Sequence, residues 1–101
     1  MNLNMLNQAR ELKAKLEKAQ KELENTIVEA DAGKGSVKVT MNGKQKLQSI
    51  TISPKVMNPD KPEQLAELIV KAVNDASAKV EKIAAKQLGG LTGGMKIPGL
   101  F

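Results

Sequence analysis

The stretch of sequence that decides the fold is VKVTMNGKQKLQSITI, residues 37–52. In its first half Val37, Val39 and Met41 alternate with polar side chains, which is the period of a β-strand with one buried face. Asn42-Gly43 follows, and this dipeptide between two such runs predicts a β-hairpin with a two-residue turn. The second strand of the hairpin then runs to the end of the quoted stretch.

A two-residue turn also fixes the register of the hairpin, because it pairs Val37 with Gln48 and Val39 with Lys46. In that register the inner face collects the apolar residues Val37, Val39, Met41, Ile50 and Ile52. The outer face shows Lys38, Thr40, Leu47, Ser49 and Thr51. A slip of one residue would divide the apolar set between the two faces, so the apolar pattern and the turn chemistry agree.

A helix is predicted on the N-terminal side of the hairpin, over residues 4–25, where neither glycine nor proline occurs. Its apolar residues follow the alternating spacing of a heptad seam: Met5, Ala9, Leu12, Leu16, Ala19 and Leu23. Opposite charges at i and i+4 occupy the other faces. The helix therefore needs one partner along a narrow stripe, and the alanines in that stripe favour a close approach.

A second helix is predicted on the C-terminal side of the hairpin. Asp60 is the expected cap, Pro62 lies in the first turn, and Glu63 completes a capping box. The helix is predicted to run to about Leu88, where Gly89-Gly90 would end it. Its apolar stripe consists of Leu65, Leu68, Ile69, Ala72, Val73, Ala76, Val80, Ile83 and Ala84.

With a first strand starting at the β-branched residues 26–28, the elements have the order α-β-β-β-α and predict an α+β fold with a small antiparallel sheet. At about 1.5 Å per residue the two helices are ~30 and ~40 Å long, whereas a compact domain of this size has a radius of gyration of only ~13 Å. The helices are therefore expected to pair and project as an arm. Because the sheet would keep unprotected edges, we expect a homodimer.

The composition excludes several classes of function. Histidine, cysteine, tryptophan and tyrosine are absent, and Phe101 is the one aromatic residue. No His or Cys nucleophile, His general base or Cys/His metal site is therefore available, so we expect no enzyme, no cofactor and no small-molecule substrate. No apolar run approaches the ~20 residues of a membrane span, and the N-terminus lacks the pattern of a secretory signal, so no membrane partner is expected.

Two local patterns invite a functional interpretation. Gly33-Lys34-Gly35 resembles a phosphate loop, but it lacks the spacing of a P-loop and leads into a strand, so a plain turn is favoured. Glu29 and Asp31 alternate on a strand as a carboxylate pair would, but no third catalytic group accompanies them. We therefore expect no catalytic residue in either pattern.

The basic residues are more informative, because 16 Lys and Arg against 11 Asp and Glu give the chain a net charge of +5. In the predicted arm the start of the first helix lies beside the end of the second, so cations near those ends meet at the free tip. These predicted DNA-binding residues are Arg10, Lys13, Lys79, Lys82 and Lys86. Lysines late in a helix also suit the helix dipole, but that does not explain Arg10 and Lys13 near a helix start.

Six segments form a recognisable set: Ala32-Gly33, Gly35-Ser36-Val37-Lys38-Val39, Asn42-Gly43, Ile50-Thr51-Ile52, Asn74-Asp75-Ala76 and Leu91-Thr92-Gly93-Gly94-Met95-Lys96-Ile97-Pro98-Gly99-Leu100-Phe101. Through them the chain resembles the YbaB/EbfC family of bacterial nucleoid-associated proteins over nearly its whole length. Lys34 departs from the family pattern, which often has a third glycine there. The resemblance implies a cytoplasmic, tweezer-like homodimer that binds duplex DNA, organises the nucleoid and affects transcription.

The predicted mechanism is duplex binding with little base readout, because Lys and Arg neutralise phosphates while no helix-turn-helix or zinc finger is present to read bases. An alternative from another class is a protein-binding adaptor or scaffold that uses the coiled arms and the apolar C-terminal tail. We expect one domain over residues 1–90 and a flexible tail over residues 91–101. The tail ending Pro98-Gly99-Leu100-Phe101 resembles a docking peptide more than a DNA contact.

Overall fold

The computed structural model describes residues 3–91 of the chain. Its elements are α1 (Leu3–Asn25), β1 (Ile27–Ala32), β2 (Val37–Asn42), β3 (Leu47–Ile52), a short 3₁₀ turn (Pro54–Val56) and α2 (Pro62–Leu91). The predicted α+β order α-β-β-β-α is confirmed. The predicted flexible tail lies outside the described residues apart from Leu91, which belongs to α2.

The three strands form one antiparallel sheet in the order β1-β2-β3. Alternation along β1 and β2 sends their apolar residues to one face, where Val28, Ala30 and Ala32 pair with Met41, Val39 and Val37. All six side chains are buried. The opposite face is polar, and on it the hydroxyl groups of Thr40 and Ser49 share a hydrogen bond of 2.6 Å.

Helix α2 covers the buried face of β1 and β2 with its central turns. Ala72, Ala76 and Val80 are fully or almost fully buried there, and their small side chains let the helix approach the sheet closely. Strand β3 lies outside this cover, since each of its residues is exposed or half-buried. The core therefore consists of two strands and one helix, with the third strand at its margin.

The hairpin between β2 and β3 keeps the predicted inner face for Ile50 and Ile52 but not the predicted register. Val37 pairs with Ile52 and Val39 pairs with Ile50, four positions beyond the partners that a two-residue turn would give. A shift by an even number of residues returns the same side chains to the same face. The prediction that Ile50 and Ile52 share the inner face is therefore confirmed, although the pairing behind it is wrong.

The turn of this hairpin is longer than predicted and is built around Asn42. The Oδ1 atom of Asn42 accepts hydrogen bonds from the N–H groups of Lys44 (2.9 Å) and Lys46 (3.0 Å), and its own N–H donates to Lys46 O (2.9 Å). The residue with positive φ, 62°, is Gln45, as in three-residue hairpin loops with a left-handed last residue. Gly43 is therefore not required by the backbone conformation of the turn.

An irregularity in the ladder moves one side chain to the other face of the sheet. The register shifts between Thr40 and Met41, and Leu47 becomes the partner of Met41. Because a β-bulge adds one residue to one strand and because cross-strand partners share a face, Leu47 joins the inner face. Its predicted place on the polar outer face is wrong.

Both ends of α2 also differ from the prediction. The helix begins at Pro62, so the position before it is held by Lys61, and Asp60 lies one residue too early to be the cap. At the other end the helix continues through Gly89-Gly90 to Leu91. Glycine weakens a helix interior by about 1 kcal/mol but leaves its hydrogen bonds intact, so this pair does not end the helix.

The described part of the molecule is elongated. It extends over 68 × 22 × 18 Å with a radius of gyration of 18.9 Å, which is well above the ~13 Å of a compact domain of this length. The prediction that the helices project beyond a compact body is confirmed.

Candidate nucleic-acid interface

Helix α1 is fastened to the sheet at its C-terminal end. The N–H of Gly43 donates to Leu23 O (2.7 Å) and to Thr26 O (2.9 Å), so the β2–β3 turn satisfies carbonyl groups that a helix end leaves free. A Cβ atom at position 43 would lie 2.5 Å from Leu23 O. Glycine is therefore needed here for close approach, and this contact fixes the point at which α1 leaves the sheet.

We define the arm as α1 together with residues 81–91 of α2, which lie past the part of α2 that covers the sheet. The two helices contact each other, and Ala19 and Leu23 of α1 are buried while Leu16 is half-buried. Residues 3–15 of α1 are exposed throughout. The arm thus forms from one helix and the last third of the other, whereas the sequence predicted a pairing of both helices along their lengths.

The α1 cations lie far out on the arm. Arg10 and Lys13 are exposed, and at 1.5 Å per residue they lie about 20 and 15 Å along the helix from Leu23. This placement agrees with the prediction that they belong to the distal part of the arm.

The α2 cations lie nearer to the root of the arm. Gln45 Nε2, in the hairpin, is 3.4 Å from Glu81 Oε1, so Glu81 marks the level at which α2 leaves the sheet. Lys82 and Lys86 follow at about 2 and 8 Å along the helix, and both are exposed. The cations therefore spread along the arm instead of meeting at its tip.

Lys79 lies on the body of the molecule. Its Nζ donates a hydrogen bond of 2.7 Å to Glu29 O in β1, so the side chain spans from α2 to the edge of the sheet. The sequence grouped Lys79 with the distal cations because it lies towards the end of the second helix, but α2 is still packed on the sheet at that turn.

The four predicted cations that lie on the arm form no ion pair within the described residues, and neither do the other lysines of α1. Within residues 3–91, ion pairs join Lys44 to Glu24 (3.1 Å) and Lys71 to Asp75 (3.5 Å), and neither pair includes an arm cation. Exposed ammonium and guanidinium groups that form no ion pair exchange small counterions for phosphates at least cost. The arm is therefore chemically suited to a polyanion.

A cleft of ≈ 400 Å³ opens between the hairpin and the arm. Its polar groups are already engaged, because Gln45 Nε2 donates to Ser77 Oγ (3.0 Å) and Lys44 pairs with Glu24. Apart from Glu81, whose Oε1 lies 3.4 Å from Gln45 Nε2, the remaining lining is aliphatic, from Val80 to Leu88. Such a cleft offers little to orient a small ligand.

The described part of the chain offers neither a metal site nor a membrane-spanning helix. Residues 3–91 contain no group of three or more acidic, His or Cys side chains placed to hold a metal ion. No helix within that range is both long and apolar enough to cross a bilayer.

The fold and the arm define an elongated α+β protein with a cationic helical projection, and comparison with known proteins gives its family. The chain belongs to the YbaB/EbfC DNA-binding family, whose model matches residues 1–95. The family recognised in the sequence is therefore confirmed.

Similar proteins carry a consistent name. The chain is 47% identical over 102 residues to a nucleoid-associated protein of Chloroflexus aurantiacus, with full coverage of both chains. It is 44% identical over 98 residues to one of Alkaliphilus metalliredigens, covering 97% of this chain and 86% of that protein. Among solved structures, an uncharacterized protein from Helicobacter pylori superposes with a TM-score of 0.76 at 20% identity, over 91% of this chain and 98% of that one. At that identity the structural likeness concerns the fold.

Proposed function

We propose that the protein binds duplex DNA through the phosphate backbone, using Arg10, Lys13, Lys82 and Lys86 of the arm. The observation that carries the proposal is that these four cations are exposed along a projecting arm and have no ion-pair partner within residues 3–91. Lys79 was predicted with them, and its bond to Glu29 O gives it a structural role as well.

The DNA contact has little base readout. Lysine and arginine on an exposed helix neutralise phosphates and release counterions, which supplies affinity without sequence information. A protein that binds in this way acts on DNA architecture, so we place it on the nucleoid in the cytoplasm, with effects on gene expression that follow from DNA organisation.

We further propose that the working unit is a homodimer joined through β3. Leu47 and Ile50 are 42% and 41% exposed although they lie on the inner, apolar face of the sheet, and α2 covers only β1 and β2. The opposite edge of the sheet, β1, is protected from pairing with another strand. Lys79 reaches over it to Glu29 O, and lysines commonly protect sheet edges in this way. The open edge and apolar face of β3 therefore favour a second copy.

In a dimer the two arms could contact the same duplex. Two chains of +5 each carry +10, and a two-fold axis through β3 would place one arm on either side of the paired sheets. Two arms extending from one body form a tweezer-like shape that can hold a duplex between them.

A protein-binding adaptor is the second candidate function, and a specific observation favours it. Leu3, Met5 and Leu12 are 71%, 63% and 39% exposed on the part of α1 that extends beyond its buried turns. Met5 and Leu12 are seven residues apart and so share one face of α1, and exposed apolar residues on one helix face are a common feature of protein-binding surfaces.

The experiment that tests the proposed function is a mobility shift of duplex DNA by purified protein at several salt concentrations. We expect affinity to fall steeply with salt and unrelated duplexes to compete within about tenfold. Absence of any shift at low salt would favour the adaptor. A preference of about a thousandfold for one sequence at constant salt would show base readout and contradict the mechanism.

A further inference from the structure

The connection between β1 and β2 has an uncommon backbone. Gly33, Lys34 and Gly35 have consecutive positive φ values of 62°, 56° and 84°. Glycine adopts this left-handed conformation freely, whereas a lysine does so at a steric cost from its Cβ atom. The chain therefore keeps a long cationic side chain at a position where glycine would be more stable, and strain of this kind is concentrated at functional sites.

The same loop leaves backbone donors available. Ser36 closes the loop, since its N–H and its hydroxyl group both donate to Gly33 O, at 3.1 and 2.7 Å. The N–H groups of Lys34 and Gly35 have no hydrogen-bond partner within residues 3–91. Successive free N–H groups in a turn form a concavity that accepts the oxygen atoms of an anion.

One further lysine contacts the loop, and another follows a backbone contact with it. The Cε atom of Lys38 lies 3.7 Å from the place that a Cβ of Gly35 would occupy. Ser53 N–H donates to Ser36 O at 2.7 Å, so the chain passes the loop two residues before Lys55.

The charge of this group is positive. Lys34, Lys38 and Lys55 are exposed and take part in no ion pair that the described residues form. Asp31 is the register partner of Lys38, and the four side chains together carry +2. The loop thus combines backbone donors with an excess of cations.

The loop lies at the opposite end of the sheet from the arm. The β2–β3 turn contacts the end of α1 through Gly43, whereas the β1–β2 loop closes the other end of the same strands, about 20 Å away for six residues. Arg10 is a further ~20 Å out along α1. A distance of ~40 Å corresponds to about 12 base pairs of duplex, so the loop and the distal arm cannot serve one and the same phosphate group.

We propose that the Gly33-Lys34-Gly35 loop is a second phosphate-binding site for duplex DNA, separate from the arm. The N–H groups of Lys34 and Gly35 hold phosphate oxygen atoms, and the ammonium groups of Lys34, Lys38 and Lys55 neutralise the charge. The proposal rests on the proposed DNA-binding function and extends it from the arm to the body of the molecule.

The test uses variants of Lys34 in the full chain and a labelled duplex of about 30 base pairs, which spans both sites at 3.4 Å per step. Lys34→Gly and Lys34→Asn remove the cation and suit the left-handed backbone, so Tm should rise by a few degrees. The same two variants should weaken DNA binding about eightfold at 0.1 M salt and lower the log–log salt slope by about 0.9 for each phosphate that is no longer neutralised.

Matched controls separate charge from folding. Lys34→Arg keeps the cation and should bind DNA within about twofold of the wild type. Lys71→Gln removes one charge from a lysine that is paired with Asp75 and should also stay within about twofold, because net charge alone contributes little to a screened contact.

The possible results distinguish failure of the proposed DNA-binding function from failure of the loop site alone. A wild type that binds no duplex overturns the proposed function together with this site. A wild type that binds, with Lys34→Gly and Lys34→Asn equal to it in affinity and salt slope, overturns the loop site alone and leaves the arm. Inorganic phosphate at matched ionic strength is the second probe. If it perturbs the Lys34 and Gly35 amide signals while the variants bind DNA normally, the loop holds a free anion, and the DNA assignment is overturned.

Discussion

The root and the free end of the arm carry the same apolar stripe with opposite results. In α1 the heptad seam continues from Met5 to Leu23 without a break, yet Leu23 at the root is 5% exposed and Leu12 towards the free end is 39% exposed. The difference is the partner. Near the root, α1 packs against the hairpin and the end of α2. Beyond the root, residues 3–15 of α1 are exposed. A stripe therefore predicts which side of a helix can be buried, but a neighbouring element decides where burial occurs.

The largest effect is expected from the charge of the arm. Changing Arg10, Lys13, Lys82 and Lys86 together to Gln should lower DNA affinity by a thousandfold or more, because each phosphate left without its cation lowers the salt slope by about 0.9. Helix content should be unchanged, since all four side chains are exposed. Fluorescence anisotropy across a salt series measures both the affinity and the slope, and circular dichroism measures the helix content.

The matched control for the arm removes the same number of charges from the body and root. Lys44, Lys46, Lys61 and Lys71 changed together to Gln should cost much less affinity, because Lys44 and Lys71 already have carboxylate partners. An equal decrease in affinity for the two variants would show that total charge matters and that the arm has no special role.

The next effect concerns β3, the part of the body that α2 leaves uncovered. Ile50→Asp should convert the proposed dimer to a monomer, because it would place a carboxylate from each chain in an apolar contact. Thr51→Asp, one residue along on the polar face, should remain a dimer. Light scattering at micromolar concentration gives the masses, and a wild type of monomer mass would remove the basis of the tweezer-like shape.

A pair of identical substitutions in α1 compares the root of the arm with its free end directly. Leu23→Ala should lower the free energy of unfolding by about 2–5 kcal/mol, because it empties a buried site at the root. Leu12→Ala should change it by no more than about 0.5 kcal/mol, as expected of an exposed position. Urea titration with equal m-values measures both. If the two costs are similar, Leu12 is buried in solution by another molecule.

The smallest effect is expected within the arm. The Oε1 atom of Gln87 is buried and has no hydrogen-bond partner among the described residues, and a buried polar group without a partner costs about 1–3 kcal/mol. Gln87→Leu should therefore stabilise the protein by about 1 kcal/mol. Gln20→Leu, at an exposed position of α1, is the control, and a decrease in stability at Gln87→Leu would mean that its amide group has a partner in the assembled protein.

Much of the fold follows from local patterns. The seam of α1, the stripe of α2 and the alternation in β2 each reflect a fixed period of the backbone, so their element types could be predicted. The register of the hairpin could not be predicted, because a glycine after Asn42 can be required for two different reasons. A two-residue turn uses glycine for its positive φ, whereas here Gly43 lets Leu23 O approach and Gln45 takes the positive φ. Nothing local to the hairpin reveals a contact with a residue twenty positions earlier.

The candidate site was predicted only in part for a similar reason. Arg10 and Lys13 could be placed on the distal arm because α1 has no other element to cover its first turns. Lys79 could not be placed, because its bond to Glu29 O depends on how far along α2 the sheet extends. The loop at Lys34 was visible as a sequence pattern, but its left-handed backbone and free N–H groups were not.

The sequence by itself determined the element order, the apolar faces, the positive charge and the family, because each depends on residue identity and on periods of two or about 3.6 residues. The tertiary structure decided which part of each stripe is buried, where the arm begins, which strand is left without cover and which cations stay free of partners. These are matters of distance between residues far apart in the chain. Gly43 beneath the end of α1 and Lys79 across the edge of β1 acquire their roles only when the chain brings their partners within hydrogen-bonding reach.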